Sequence, residues 1–233
     1  MNRRMRLGQH FLRSASVAEE IVSEARITSD DTVFELGTGL GILTPLLCAR
    51  AGRVISIDAD KSLVDAATAS MSGIKNLVLE AGDGLKSTDR FTVFVSNLPY
   101  SKSRDIMEWL ALRSFSHGVV MVQKEFADKL MAGVAGRRAV SIIANHAFEM
   151  RRVSDVGRNN FDPPPRVDSV VIHLRQKNTM TRDQIRTINK IFSYRRKTVR
   201  NILRQFGRDS DADGRLDDMT GDEIVHLADE ILR

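Results

Sequence analysis

Five short apolar runs, at 32–36, 54–57, 77–79, 91–95 and 118–122, are separated by stretches long enough for a helix, and this alternation restricts the fold more than any other feature. Strands joined through helices cannot turn back as hairpins. They cross over and pair in parallel, with helices covering both faces of the sheet. Helical periodicity fills the gaps at 42–50, 62–71 and 106–112. Ahead of the first strand, Ser16-x-x-Glu19 reads as a capping box, and Val17, Ile21, Val22 and Ala25 follow at helical spacing. The fold class is therefore α/β, with a Rossmann-like, mostly parallel sheet.

The rhythm continues through helical patterns at 125–131 and 139–147. Strand-like segments at 149–155 and 169–174 then flank a loop at 159–166 that carries three consecutive prolines. Two late strands joined in this way predict an antiparallel hairpin at the sheet edge. From Thr181 the pattern is helical only, so the expected division is a domain at 1–175 and a small helical appendage at 176–233.

Composition excludes several classes. The single cysteine, Cys48, lies in an apolar helical stretch and can build neither a disulfide framework nor a thiolate metal site. The five histidines are scattered without metal-ligand spacing, so no metal is expected. The basic N-terminus is not followed by the apolar run of a signal peptide, and no segment has the length of a membrane span, so a cytoplasmic protein away from membranes is expected; a monomer is expected as well. Thirty-five Lys and Arg against 30 Asp and Glu give a formal net charge of +5, which favours an anionic partner.

That charge is segregated in the appendage. Between Arg182 and Arg208 the only acid is Asp183, whereas acids dominate beyond Arg208. Arg196, Arg200, Arg204 and Arg208 lie four apart and are expected on one helical face. Such a face is either a solvated surface partly neutralised by the acidic tail or a ridge that contacts phosphates.

Glu35-Leu-Gly37-Thr-Gly39-Leu-Gly41 closes the first strand and opens a helix, where glycine lets backbone approach a ligand closely. A dinucleotide fingerprint would need glycine at Ile42, and a P-loop would need the absent Gly-Lys-Ser/Thr. Asp58 ends the second strand, where a carboxylate can accept both hydroxyls of a ribose, and Asp83 ends the third, where it can accept from an adenine amino group. Taken singly, each acid fits a turn or a helix cap. At successive strand ends they describe a nucleoside pocket.

The fourth strand leads into Asn97-Leu98-Pro99-Tyr100. An exocyclic adenine amine is a poor nucleophile because its lone pair is delocalised into the ring. The Asn97 side-chain oxygen and the Leu98 carbonyl can accept its N–H bonds and redirect that pair, with Pro99 fixing the geometry and Tyr100 stacking on the base. Phe161, in the proline loop, is expected to offer a second aromatic face to the base.

Six segments then fall into place: Leu7-Gly-Gln-His-Phe-Leu12, Glu35 to Gly41, Gly82-Asp83, Asn97-Leu-Pro-Tyr100, Phe161-x-Pro-x-Pro-x-Val-Asp168 and Phe192-Ser-Tyr-Arg-Arg-Lys-Thr198. In this order they resemble the ribosomal RNA adenine N6-dimethyltransferases of the KsgA type. The resemblance implies a class I methyltransferase sheet, S-adenosyl-L-methionine as cofactor, and two adjacent adenines near the 3′ end of small-subunit rRNA as substrate, each methylated twice. It implies cofactor contacts from Gln9, His10, Leu12, Glu35, Gly37, Gly39, Asp58, Ala59, Asp83, Gly84 and Asn97. Contacts to rRNA in the immature small subunit are expected from Arg195, Arg196, Lys197, Arg200 and Arg204. One departure is the run Ser101-Lys102-Ser103 after Tyr100, where the family usually continues with a small polar or amide residue and then Ile-Ser. The competing readings are an Erm-type enzyme acting on the large subunit, a non-catalytic RNA-binding assembly factor and a small-molecule methyltransferase.

Overall fold

A computed structural model describes residues 10–132 and 137–233, so Gln9 lies outside the described residues. The chain divides into two compact units. The first comprises the residues up to Ile106 together with Ser114–Lys124 and Met150–Arg175; the second comprises Met107–Arg113, Glu125–Glu149 and Gln176–Arg233.

The first unit is built on a sheet whose strands are β2 (Thr32–Leu36), β3 (Arg53–Asp58), β4 (Leu77–Ala81), β5 (Val93–Asn97), β6 (His117–Gln123), β7 (Phe148–Val156) and β9 (Ser169–Gln176). Their order is β4-β3-β2-β5-β6-β9-β7. The first five pair in parallel, as the alternation requires, and β9 runs antiparallel to β6. The two late strands are neighbours at the edge, with β9 on the inner side. A separate two-residue ribbon joins β1 (Phe11–Leu12) to β8 (Phe161–Asp162), pairing Leu12 with Phe161.

Central strands are apolar on both faces because helices cover both. Val33, Phe34, Val93, Phe94, Val95 and Val119 to Val122 are all fully buried, each stabilising the fold by about 1.5–3 kcal/mol. Helix α1 (Ala15–Glu24) buries Ala18, Ile21 and Val22. Its N-cap is Ser14, whose hydroxyl accepts from the Val17 amide; Ser16, expected as the cap, lies inside the first turn and bonds Ser14 instead. Helix α2 (Thr44–Cys48) is shorter than its periodic pattern, and α3 (Lys61–Ser70) is capped by Asp60. Helix α4 (Ser103–Ala111) follows the turn after β5, and α5 (Lys124–Met131) follows β6.

In the second unit, α6 (Ala139–Ala147) is buried along nearly its whole length. Against it and each other pack α7 (Arg182–Ser193) and α9 (Gly221–Leu232). Reciprocal capping boxes start both, Thr181 with Gln184 and Thr220 with Glu223. Between them α8 spans only Val199–Arg204. The expected four-arginine face is therefore not formed on one helix: Arg196 precedes the Thr198 cap, and Arg208 follows Gly207, whose φ of +71° ends the turn. Among the described residues no helix is long and apolar enough to cross a membrane.

Gly118 shows how tightly β5 and β6 approach. It pairs with Phe94, and a Cβ built on it would lie 2.6 Å from the Phe94 carbonyl oxygen. Gly118→Ala is expected to cost about 1–3 kcal/mol, measured as a lower urea midpoint with an unchanged slope.

Candidate active site

Parallel strands place their C-terminal ends along one edge, and a crevice opens where the chain leaves β2 for β3 on one side and β5 on the other. A cleft of about 980 Å³ lies at this edge in the first unit. That volume falls at the upper end of small-molecule sites.

The Gly-rich turn forms the floor. Gly37 donates its N–H to the Ile57 carbonyl at 2.7 Å, and Gly39 donates to Asp58 Oδ2 at 2.9 Å. Asp58 Oδ1 accepts from the Asp60 amide at 2.8 Å. Asp58, 8% exposed, thus spends both oxygens on backbone and still borders the cleft. Each oxygen keeps a second lone pair for a hydroxyl. Gly37 has φ +89°, and a Cβ built there would meet nothing within 4 Å, so the backbone stands open toward a ligand. Ala59, Gly39 and Gly84 border the same space. Asp83 stands exposed above a short 3₁₀ turn, with one oxygen accepting from the Leu85 amide at 3.1 Å.

Across the cleft stands the Asn97 corner. Asn97 is the last residue of β5, and Leu98 extends the pairing by donating its amide to Met121 at 3.0 Å. Pro99, with φ −61°, leads into a 3₁₀ turn at Tyr100–Lys102. Asn97, Leu98, Pro99 and Tyr100 all border the cleft. Tyr100 shares a 2.7 Å hydrogen bond with Ser169, and burial raises its phenol above the ordinary range. The His10 ring stacks on Tyr100 at 5.7 Å, and His10 Nδ1 bonds the Pro163 carbonyl at 2.8 Å.

Three expected residues lie elsewhere. Leu12 and Phe161 face each other across the β1–β8 ribbon inside the core, and Phe161 is 1% exposed. A second aromatic face for a base is therefore not presented by Phe161: its strand pairing turns the ring inward despite the neighbouring prolines. Glu35, 1% exposed, sits beneath the Gly-rich turn rather than on the cleft. Its Oε2 accepts from Ser56 at 2.6 Å and Thr44 at 2.7 Å, while Oε1 is buried without a partner. Apolar walls at Leu36, Ile57 and Leu85 escaped sequence reasoning, because an apolar residue at a strand end is indistinguishable from core.

The basic candidates belong to the second unit. Arg195 pairs with Asp217 at 3.8 Å, Arg200 with Asp213 at 2.9 Å and Arg204 with Asp209 at 4.0 Å. The acidic segment is also held by backbone, since the Val199 and Arg200 amides donate to the Gly214 and Ala212 carbonyls. Arg196 and Lys197 are exposed, and the Lys197 ammonium lies 5.1 Å from the Tyr194 ring centroid.

Burial pushes the Glu35 carboxyl up to about 7 against the two hydroxyl donors, which act the other way. A raised carboxyl pKa means that the folded state binds the extra proton between the ordinary value and about 7, so stability is lost as pH rises through that window. Glu35→Gln is expected to remove this slope. Between pH 5 and 8 the wild type should lose on the order of 1–3 kcal/mol relative to the variant, read by urea titration at each pH.

Comparison with known proteins identifies the family and the fold. The family model described as ribosomal RNA adenine dimethylase matches residues 1–223. Ribosomal RNA small subunit methyltransferase A of Thermotoga petrophila is 35% identical over 230 residues, covering 95% of this chain and 88% of that protein. A crystal structure of a dimethyladenosine transferase from Plasmodium falciparum superposes with TM-score 0.80 at 26% identity, covering 96% of this chain and 98% of that one. The 23S rRNA methyltransferase ErmE shares the fold, with TM-score 0.70 at 22% identity over 96% of this chain and all of that one. The chain belongs to the ribosomal RNA adenine dimethylase family.

Proposed function

We propose that the protein is an S-adenosyl-L-methionine-dependent methyltransferase that dimethylates N6 of two adjacent adenines near the 3′ end of small-subunit rRNA. One observation carries the reading: the Asn97–Tyr100 corner and the carboxylates of Asp58 and Asp83 border one cleft, opposite each other across the Gly-rich turn. A nucleoside-bearing cofactor fits these residues. Asp58 offers acceptors to ribose hydroxyls, Asp83 to an adenine amine, and the open backbone at Gly37 admits the rest. When bound, S-adenosyl-L-methionine supplies an electrophilic methyl group.

The chain's own residues position the amine. Asn97 Oδ1 and the Leu98 carbonyl accept its two N–H bonds, which turns the nitrogen lone pair out of the base plane. Asn97 is no base at neutral pH, so the released proton goes to solvent. Tyr100 stacks on the target adenine. A second transfer requires the monomethylated amine to rotate and present its remaining N–H to the same acceptors.

The names of the relatives favour the small subunit over the large. The segment from Gln176 is the appendage that meets the ribosome, with Arg195, Arg196, Lys197, Arg200 and Arg204 as its phosphate contacts. Among the described residues, Arg195, Arg200 and Arg204 have carboxylate partners to leave, whereas Arg196 and Lys197 have none and are exposed.

Mass spectrometry of subunit rRNA after incubation with labelled cofactor tests the reading. Label in N6,N6-dimethyladenosine of the small subunit is expected, and label confined to the large subunit would overturn it. Asn97→Ala should slow transfer by roughly 10²-fold or more, measured at saturating cofactor. The Arg196→Glu, Lys197→Glu double variant should weaken RNA binding and flatten the plot of log affinity against log salt by about 1–2; an unchanged slope would remove both from the phosphate contacts.

A further inference from the structure

We infer that Ser169 is a positioning residue for Tyr100: the hydrogen bond between their hydroxyls, with the His10 ring behind, fixes the one face of Tyr100 left to an incoming base. The inference rests on the methyl-transfer reading above, since it assigns Tyr100 to the base.

Tyr100 opens a three-residue 3₁₀ turn. Nothing in such a turn dictates where a phenol ring points, because two side-chain torsions remain to be set. Contacts from distant segments set them here. The Tyr100 hydroxyl meets Ser169 Oγ at 2.7 Å, and the His10 ring lies against Tyr100 with centroids 5.7 Å apart and planes 29° apart. His10 is held in turn by the Pro163 carbonyl at 2.8 Å. A carbonyl only accepts, so Nδ1 carries the hydrogen and the ring cannot flip without losing that bond.

Each anchor is itself fixed. Ser169 is fully buried, opens β9 and pairs with Gln123 at the end of β6, so the sheet sets its position. Pro163 directly follows β8, which the Phe11–Asp162 and Leu12–Phe161 pairs hold to β1. His10 precedes β1 and borders the cleft. A ring tethered at its hydroxyl and backed on one face offers a base a single plane.

Orientation at this level decides rates, because displacement of the reacting amine by about 1 Å costs up to two orders of magnitude. Affinity for RNA, by contrast, comes chiefly from phosphate contacts and does not register a swinging ring. The two quantities therefore separate a positioning role from a structural one.

The test is a double-mutant cycle on the full chain with small ribosomal subunits as substrate. Ser169→Ala and Tyr100→Phe remove the same bond from its two ends, and Tyr100→Phe keeps the ring. Each is expected to lower kcat about tenfold, with cofactor affinity and subunit affinity unchanged, and the double variant should be no slower than the slower single one. Wild-type kcat in either single variant would overturn the inference. So would a double variant slowed by the product of the two single effects.

Should Ser169→Ala not fold, Tyr100→Phe still breaks the bond from the cleft side and carries the test. A second readout does not need turnover: 2-aminopurine at the target position of an RNA fragment should be quenched on wild-type protein and less so on both variants. Full quenching in both would overturn the assignment. Absence of methyl transfer by the wild type would sink the functional reading and leave the quenching result to judge the geometry of Tyr100.

Discussion

A single buried carboxylate organises the ligand edge of this sheet. Asp58 takes the Gly39 amide on one oxygen and the Asp60 amide on the other, so it joins the Gly-rich turn after β2 to the start of α3 after β3. Hydrogen bonds to a charged acceptor are stronger than neutral ones, and in a site largely removed from water they are screened little. Beneath it, Thr38, Ser56, Glu35 and Thr44 form a hydroxyl and carboxyl chain that anchors the same turn from below. The floor of the cleft is thus held by polar bonds within an apolar sheet, and its shape does not wait for a ligand to form.

The opposite wall has a different construction. Asn97 and Leu98 continue a central strand, so the corner inherits the rigidity of β5 between β2 and β6. The Ser96 hydroxyl also bonds the Leu36 carbonyl, which ties this wall to the end of β2. Only the Tyr100 ring depends on remote segments. The amide and carbonyl proposed to meet an amine therefore continue a strand, whereas the Tyr100 ring is held by His10, ahead of β1, and by Ser169, at the start of β9.

What could be read in the sequence follows from this division. That Asp58, Asp83 and Asn97 would border one cleft was legible because each lies at the end of an apolar run, and parallel strands gather their ends at one edge whatever the details of packing. Phe161 and Leu12 were not, because a ribbon of two residues on each side leaves no periodic trace, and its partners are far apart in sequence. Glu35 was placed in the motif correctly but on the wrong side of the turn: burial is decided by Ser56 and Thr44, which the motif does not contain. Ser169 gave no signal at all, since a serine at the start of a strand is ordinary. In the appendage, the four-residue spacing of arginines suggested one helix, and the Thr198 cap and Gly207 show why spacing alone misled.

The His10–Pro163 bond spans 153 positions and the Tyr100–Ser169 bond spans 69. Closing loops of that size must precede any gain from the contacts themselves. During synthesis, then, the aromatic wall cannot exist until the ribosome has released the chain beyond Ser169, although the Gly-rich floor and the Asn97 corner are already translated. A nascent fragment that carries the whole Gly-rich turn still lacks the contacts that hold Tyr100, so the orientation of that ring is fixed only after β9 has docked.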